Sequence, residues 1–357
     1  MTEIFSAKYL EGKNAFFNAP DYTDKLKNEF NAPLPSCLYQ AEQNNTIRTP
    51  SQGTNSAFSF VKPLIVPAMI RPKLFGETLS KQPDPWKFKR LAVQTKNGLT
   101  LDAAIMGRPS TLSNKKWVLV SVGRRDLYEE RLVDSAFQKF LTEINANALV
   151  FNYPSVGASV GNCNTKNLVE SYHTMLQLLE DNKRGIGAKK IIGYGYSLGG
   201  GIQGESLKTH NLQEGMKKGI RYIFIKDRTF SSLERACKSI TKGCLEWVIP
   251  QAELSLDSVE SSKKLAELNI PEIIIQTTDM NHDPISDGVI SKNAALQTAI
   301  RALSVPHKWF INFTEKCIHN NPRDRSSFLF FHTCSIEYFS ERLSKKINSL
   351  MRAYLLA

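Results

Sequence analysis

From Leu91 onward, short apolar runs alternate with stretches whose apolar positions recur at helical spacing. Leu91-Ala-Val-Gln-Thr and Leu99-Thr-Leu-Asp-Ala-Ala-Ile flank Asn97-Gly98, which predicts a β-hairpin with Asn-Gly as its turn. Residues 117–122 (WVLVSV) read as a buried strand. Leu132, Val133, Ala136, Phe137, Phe140, Leu141 and Ile144 then trace one helical stripe. Residues 148–151 form the next strand. Leu168, Val169, Tyr172, Met175, Leu176 and Leu179 form a second stripe. Further short strands are expected at 190–193, 222–225, 273–276 and 309–313. This alternation predicts a mostly parallel sheet with helices on both faces, an α/β class. Ile336, Phe339, Leu343, Ile347, Leu350 and Tyr354 give the C-terminal end a helical stripe, with Arg342, Lys345, Lys346 and Arg352 between them. The plain reading is a helix closing the sheet. The sharper alternative is a basic amphipathic helix at a membrane surface.

Residues 1–85 have a different texture. Nine prolines lie between positions 20 and 85, and residues 43–56 are polar. Residues 58–75 are apolar, but interior prolines forbid one straight helix, because each removes a hydrogen-bond donor. The expected organisation is therefore an N-terminal extension, 1–85, packed on or near a body of 86–357. A small lid is expected within 231–268, where Leu245, Trp247, Val248 and Ile249 could line an acyl pocket or simply pack a helix.

The most informative stretch is Lys189–Leu207, KKIIGYGYSLGGGIQGESL. An apolar strand runs into Gly195-Tyr196-Ser197-Leu198-Gly199 and then into a glycine-rich helix. G-x-S-x-G at a strand-to-helix junction is a nucleophile elbow, which holds the serine hydroxyl at the top of a sheet. In open α/β sheets ligands bind beyond the carboxyl ends of the strands, where this serine sits. A serine hydroxyl needs a base, and the base needs a carboxylate to orient it. Downstream histidines are 210, 282, 307, 319 and 332. His319 follows the last strand by a short loop and takes the base's place in the chain order Ser, Asp, His. The loop after 273–276 carries Asp279, Asp283 and Asp287. Asp283, in Asp-Pro-Ile, is taken as the acid and Asp279 as the alternative. The backbone N–H groups of Leu198 and Arg124 are the expected oxyanion donors, because a tetrahedral intermediate places negative charge on the former carbonyl oxygen.

Composition narrows the picture. The 357 residues carry a formal net charge of +12, yet residues 1–85 hold nine Lys/Arg against eight Asp/Glu, so the excess lies on the body. A basic surface suits an anionic substrate or an anionic membrane. Without a nucleic-acid motif or a dense Lys/Arg run, nucleic acid is not expected as a partner. The N-terminus lacks the pattern of a Sec signal and the sequence lacks an apolar run of transmembrane length, so a cytoplasmic protein, or one exported by another route, is expected. The six cysteines show neither C-x-x-C nor zinc spacing, and neither metal nor organic cofactor is implied.

Four features resemble the α/β-hydrolase superfamily over about residues 91–322. They are the elbow 195–199, Gly123 after the first central strand, the segment Asn152-Tyr-Pro-Ser-Val-Gly-Ala-Ser-Val-Gly161, and the order Asp283 then His319. Asp227-Arg-Thr-Phe-Ser-Ser is similar to the segment after strand six of peptidase-like and esterase-like members. The texture is also similar to hydrolase-like proteins of intracellular bacterial pathogens, the chlamydial virulence-associated group among them. The resemblance implies a serine hydrolase cleaving an ester or thioester, lipid-derived acyl groups included. The other class of function open to this chain is a non-catalytic, hydrolase-like interaction protein binding a protein partner or an anionic membrane. Two departures stand out: Val122-Gly123 replaces the usual His-Gly, and Met280, Asn281 and His282 lengthen the acid loop.

Overall fold

The computed structural model describes residues 7–8, 86–123, 126–156, 159–241, 255–303, 305–314 and 333–356. Its strands are β1 (Ala7–Lys8), β2 (Lys87–Gln94), β3 (Thr100–Gly107), β4 (Lys116–Ser121), β5 (Asn147–Phe151), β6 (Lys190–Tyr196), β7 (Arg221–Asp227), β8 (Glu272–Thr278) and β9 (Lys308–Thr314). They form one sheet in the order β1-β2-β3-β5-β4-β6-β7-β8-β9. The pairs from β5 to β9 are parallel, while β1, β2 and β3 join antiparallel at the other side.

The helices are α1 (Tyr128–Val133), α2 (Ser135–Glu143), α3 (Thr165–Glu180), α4 (Leu198–Thr209), α5 (Leu212–Lys217), α6 (Leu233–Thr241), α7 (Val259–Glu267), α8 (Leu296–Ala302) and α9 (Thr333–Leu356). The crossover from β4 to β5 runs one way along the sheet, and that from β5 to β6 runs back across β4. Right-handed crossovers in opposite directions place their helices on opposite faces. Accordingly α2 pairs with α9, while α3, α4 and α7 pack together. The winding reverses between β4 and β6, which makes the ends of those two strands the topological switch point.

The expected strands are present, mostly longer than the apolar run that announced them. The hairpin turns at Gly98, whose φ of +77° is the left-handed geometry an Asn-Gly turn needs. The predicted helix over 132–144 differs, being two helices broken at Asp134. That residue is extended (φ −69°, ψ 108°), and its carboxylate accepts from the N–H groups of Ala136 and Phe137 at 2.9 and 3.2 Å. An aspartate that satisfies two orphan amides of a new helix starts that helix in preference to continuing the old one. On α9, Leu343, Ile347, Leu350 and Met351 are buried, and Ser344 and Asn348 hydrogen-bond to Glu143 of α2. This is the closing helix. Trp117, Phe137, Phe140, Phe151, Tyr172 and Phe224 are among the fully buried side chains. Each such burial contributes about 1.5–3 kcal/mol.

The extension beyond Ala7–Lys8 lies outside the described residues, as do 242–254 with Leu245, Trp247, Val248 and Ile249. No helix among the described residues is long and apolar enough to cross a membrane.

Candidate active site

Ser197 stands between the end of β6 and the start of α4, with φ +50° and ψ −116°. This is a strained conformation for a residue with a side chain. Backbone and side-chain hydrogen bonds hold it. Its N–H donates to the carbonyl oxygen of Asp227 at 2.9 Å, and its own carbonyl oxygen accepts from Gly200 N at 3.1 Å and from Thr229 Oγ1 at 2.8 Å. The elbow also needs its flanking glycines. A Cβ on Gly195 would lie 2.7 Å from Gly200 Cα, and one on Gly199 would collide with the carbonyl oxygen of Ser121 at the end of β4. Leu198 is the first residue of α4, so its N–H belongs to the first turn, where helical amides lack an intrahelical acceptor.

The end of β4 is fixed by polar side chains. The Tyr153 hydroxyl donates to the carbonyl oxygen of Val122 at 2.7 Å, which leaves Ser121 Oγ, 2.8 Å away, as the donor to Tyr153. Burial pushes the Tyr153 phenol well above its ordinary pKa, which keeps it a donor. Gly123 N–H donates to Asp126 Oδ2 at 3.0 Å, and Asp126 N–H returns a bond to Gly123 O at 3.4 Å. The Gly123 amide is thus engaged. The next amide, that of Arg124, lies outside the described residues.

Below the serine lies a buried polar cluster. Asp227 accepts from Tyr194 Oη at 2.6 Å and from Arg228 Nε at 2.9 Å. The Arg228 guanidinium lies over the Tyr196 ring, 4.8 Å from its centroid. Burial, followed by the nearby carboxylate of Asp227, raises the pKa of Tyr194. Burial also raises that of Tyr196, with smaller upward contributions from Asp126, Asp227 and Asp287. Sequence reasoning missed this cluster and the Tyr153 link, although both lie in segments the superfamily resemblance had marked.

The three aspartates of the acid loop have different surroundings. Asp279 closes a tight loop: its Oδ1 accepts from the N–H groups of Asn281 and Asp283, both at 2.9 Å. The Asp283 side chain is 59% exposed, with Arg301 Nη1 at 3.8 Å. Asp287 is 2% exposed, and its Oδ1 accepts from Ile290 N at 2.7 Å and Val289 N at 3.0 Å. His319 lies outside the described residues. The structure therefore brings together the elbow, the end of β4 and the Asp227 cluster, and it separates a buried from an exposed carboxylate in the acid loop.

A central parallel sheet, covered on both faces and carrying a strained serine at its switch point, is the α/β-hydrolase fold. Residues 74–327, more than half of the chain, match the family described as Chlamydia CHLPS protein (DUF818), and the chain belongs to that family. Among solved structures it is similar to an esterase from Pyrococcus furiosus, at 12% identity and a TM-score of 0.50, over 74% of this chain and 91% of that one. An alpha-beta hydrolase from Vibrio vulnificus matches at 17% identity and a TM-score of 0.48, over 73% of this chain and 80% of that one. No curated protein matches the chain.

Proposed function

We propose that the chain is a serine hydrolase that cleaves an ester or thioester through an acyl-enzyme. The observation that carries this reading is the backbone of Ser197, held at φ +50° by hydrogen bonds to Asp227, Gly200 and Thr229 at the switch point of the sheet. A binding scaffold gains nothing from that strain, whereas a nucleophile gains a presented hydroxyl. In this reading Ser197 Oγ attacks the acyl carbon as His319 takes its proton. The N–H groups of Leu198 and Arg124 hold the oxyanion. The intermediate collapses, the C–O or C–S bond breaks, and the alcohol or thiol leaves with the proton from His319. Water, deprotonated by His319, then releases the acid. The Asp-Pro-Ile turn in the sequence favours Asp283 as the carboxylate that orients His319. Burial favours Asp287 of the same loop, since an orienting carboxylate works best out of solvent. A lipid-derived acyl group fits the basic body, where an anionic surface would be attracted.

A fluorophosphonate probe tests the reading, because it needs an activated serine. Wild type is expected to label, and Ser197→Ala and His319→Ala are expected to abolish labelling. Asp287→Asn is expected to slow labelling at least tenfold, against little change for Asp283→Asn; the reverse result returns the acid to Asp283. A folded wild type that does not label, with or without residues 1–85, would instead support the non-catalytic interaction protein.

A further inference from the structure

A polar cavity of about 700 Å³ opens at the far end of the strands from Ser197. It is lined by residues that precede β6 and β7 and by the C-terminal ends of α3 and α4. The seven residues of β6, at a rise of about 3.3 Å each, separate it from the elbow by about 20 Å. It plays no part in the reaction proposed above.

Its floor holds two imidazoles, His173 and His210, with ring centroids 5.4 Å apart. Each has one nitrogen engaged. His173 Nε2 lies 2.7 Å from the carbonyl oxygen of Ser206, which can only accept, so Nε2 carries the proton. His210 Nε2 lies 3.0 and 3.1 Å from the two carboxylate oxygens of Glu180, which also accepts from Tyr222 Oη at 2.6 Å. The Nδ1 atoms are different. Among the described residues no group bonds either one, and both rings line the cavity. His210 is itself only 6% exposed.

The rim is cationic in a specific sense. Its carboxylates already have partners: Glu180 the pair above, Glu214 the ammonium of Lys218, and Asp181 the N–H groups of Lys183 and Arg184. Among the described residues Lys96, Lys183 and Lys189 have no carboxylate within ion-pair distance. Lys96 is close enough to His173 to disfavour its protonation, adding to the larger effect of burial. A bound anion would relieve both.

We infer that this cavity is a binding site for a soluble, phosphate-bearing small molecule, held by Lys96 and Lys183 at the rim and by His173 and His210 at the floor, whose Nδ1 atoms each take up a proton to donate to the phosphate. A phosphate group presents more acceptor oxygens, and more charge, than a carboxylate does to donors converging from different elements. A metal ion is the poorer fit, since no group of three or more His, Cys, Asp or Glu side chains suited to a metal gathers among the described residues.

The test is calorimetric titration of the full-length chain with inorganic pyrophosphate, beside NMR of ¹³C-labelled histidine. Pyrophosphate is expected to bind, to move the resonances of His173 and His210, and to raise the pKa of His173. Lys96→Ala, on an exposed turn, is expected to weaken binding at least tenfold, as is His173→Gln. Lys139→Ala, remote from the cavity, should leave it unchanged. Fluorophosphonate labelling of Ser197 should persist in all three variants, so failure here is distinguishable from failure of the hydrolase reading. Absence of binding at millimolar pyrophosphate, or binding indifferent to Lys96→Ala and His173→Gln, overturns the inference. So does Lys96-dependent sedimentation with phosphatidylglycerol vesicles without pyrophosphate binding, which would make the phosphate a lipid headgroup.

Discussion

Lys226 and Asp227 are neighbours on β7, both fully buried, and their side chains leave the sheet on opposite faces. On the side of α7, Lys226 Nζ meets Glu272 at 2.9 Å and the hydroxyl of Ser261 at 2.7 Å, and Lys308 approaches the other oxygen of Glu272 at 3.0 Å. On the other face, Asp227 meets Tyr194 and Arg228, and Arg228 in turn covers Tyr196, next to Ser197. The first cluster is closed: two ammoniums, one carboxylate and a set of serine acceptors, sealed between β7, β8, β9 and α7. The second is coupled to the nucleophile proposed above. The same burial cost is met on both faces, but only one cluster also supports the elbow. A buried charge is therefore no guide to a functional site until its partners are traced.

Removing the shared anion of the closed cluster should have the largest effect. Glu272→Gln leaves two buried ammoniums facing each other and is expected to cost about 3–5 kcal/mol, read by urea unfolding. Burial opposes ionisation of Glu272, but Lys226 and Lys308 outweigh it and hold its pKa below the usual carboxylate range. Its contribution is then present above the unfolded-state pKa and is lost as pH falls through the lower folded-state value. Acid unfolding from about pH 4.5 downward should accordingly be shallower in Glu272→Gln than in wild type. Asp227→Asn should cost less, about 2–3 kcal/mol, because Arg228 keeps its contact with the Tyr196 ring. It should also slow probe labelling of Ser197, whereas labelling of folded Glu272→Gln should match wild type. Equal labelling in the two variants would erase the distinction between the clusters. Tyr194→Phe should have the smallest effect, about 1 kcal/mol, since it removes one hydrogen bond and leaves the ion pair in place.

These clusters also mark the limit of what the sequence discloses. The elbow was legible because G-x-S-x-G after an apolar strand joins a local pattern to a local geometry. The strands were legible for the same reason: apolar runs such as 273–276 need no distant partner to be recognised. Asp134 was hidden because the apolar stripe of Leu132 to Ile144 runs through it, and a cap competes with that stripe only once its amides are placed. The contrast between Asp283 and Asp287 was hidden too, because three aspartates in one loop have the same composition and differ in burial alone. His173, in the middle of α3, and His210, at the C-terminal end of α4, lie 37 positions apart on two helices that pack together, and no spacing rule connects them. Local geometry is written in local sequence; long-range pairing of polar heads is not.

The backbone of Ser197 has one more consequence. A φ of +50° is uphill for any side chain and level ground for glycine. Over most of a protein, substitutions that relax the fold are neutral or welcome. At this single position the most relaxing replacement would delete the hydroxyl. For the nucleophile proposed above, durability and reactivity therefore pull against each other at residue 197, and the glycines around it, with Asp227 and Thr229, are what keep that choice inhabitable.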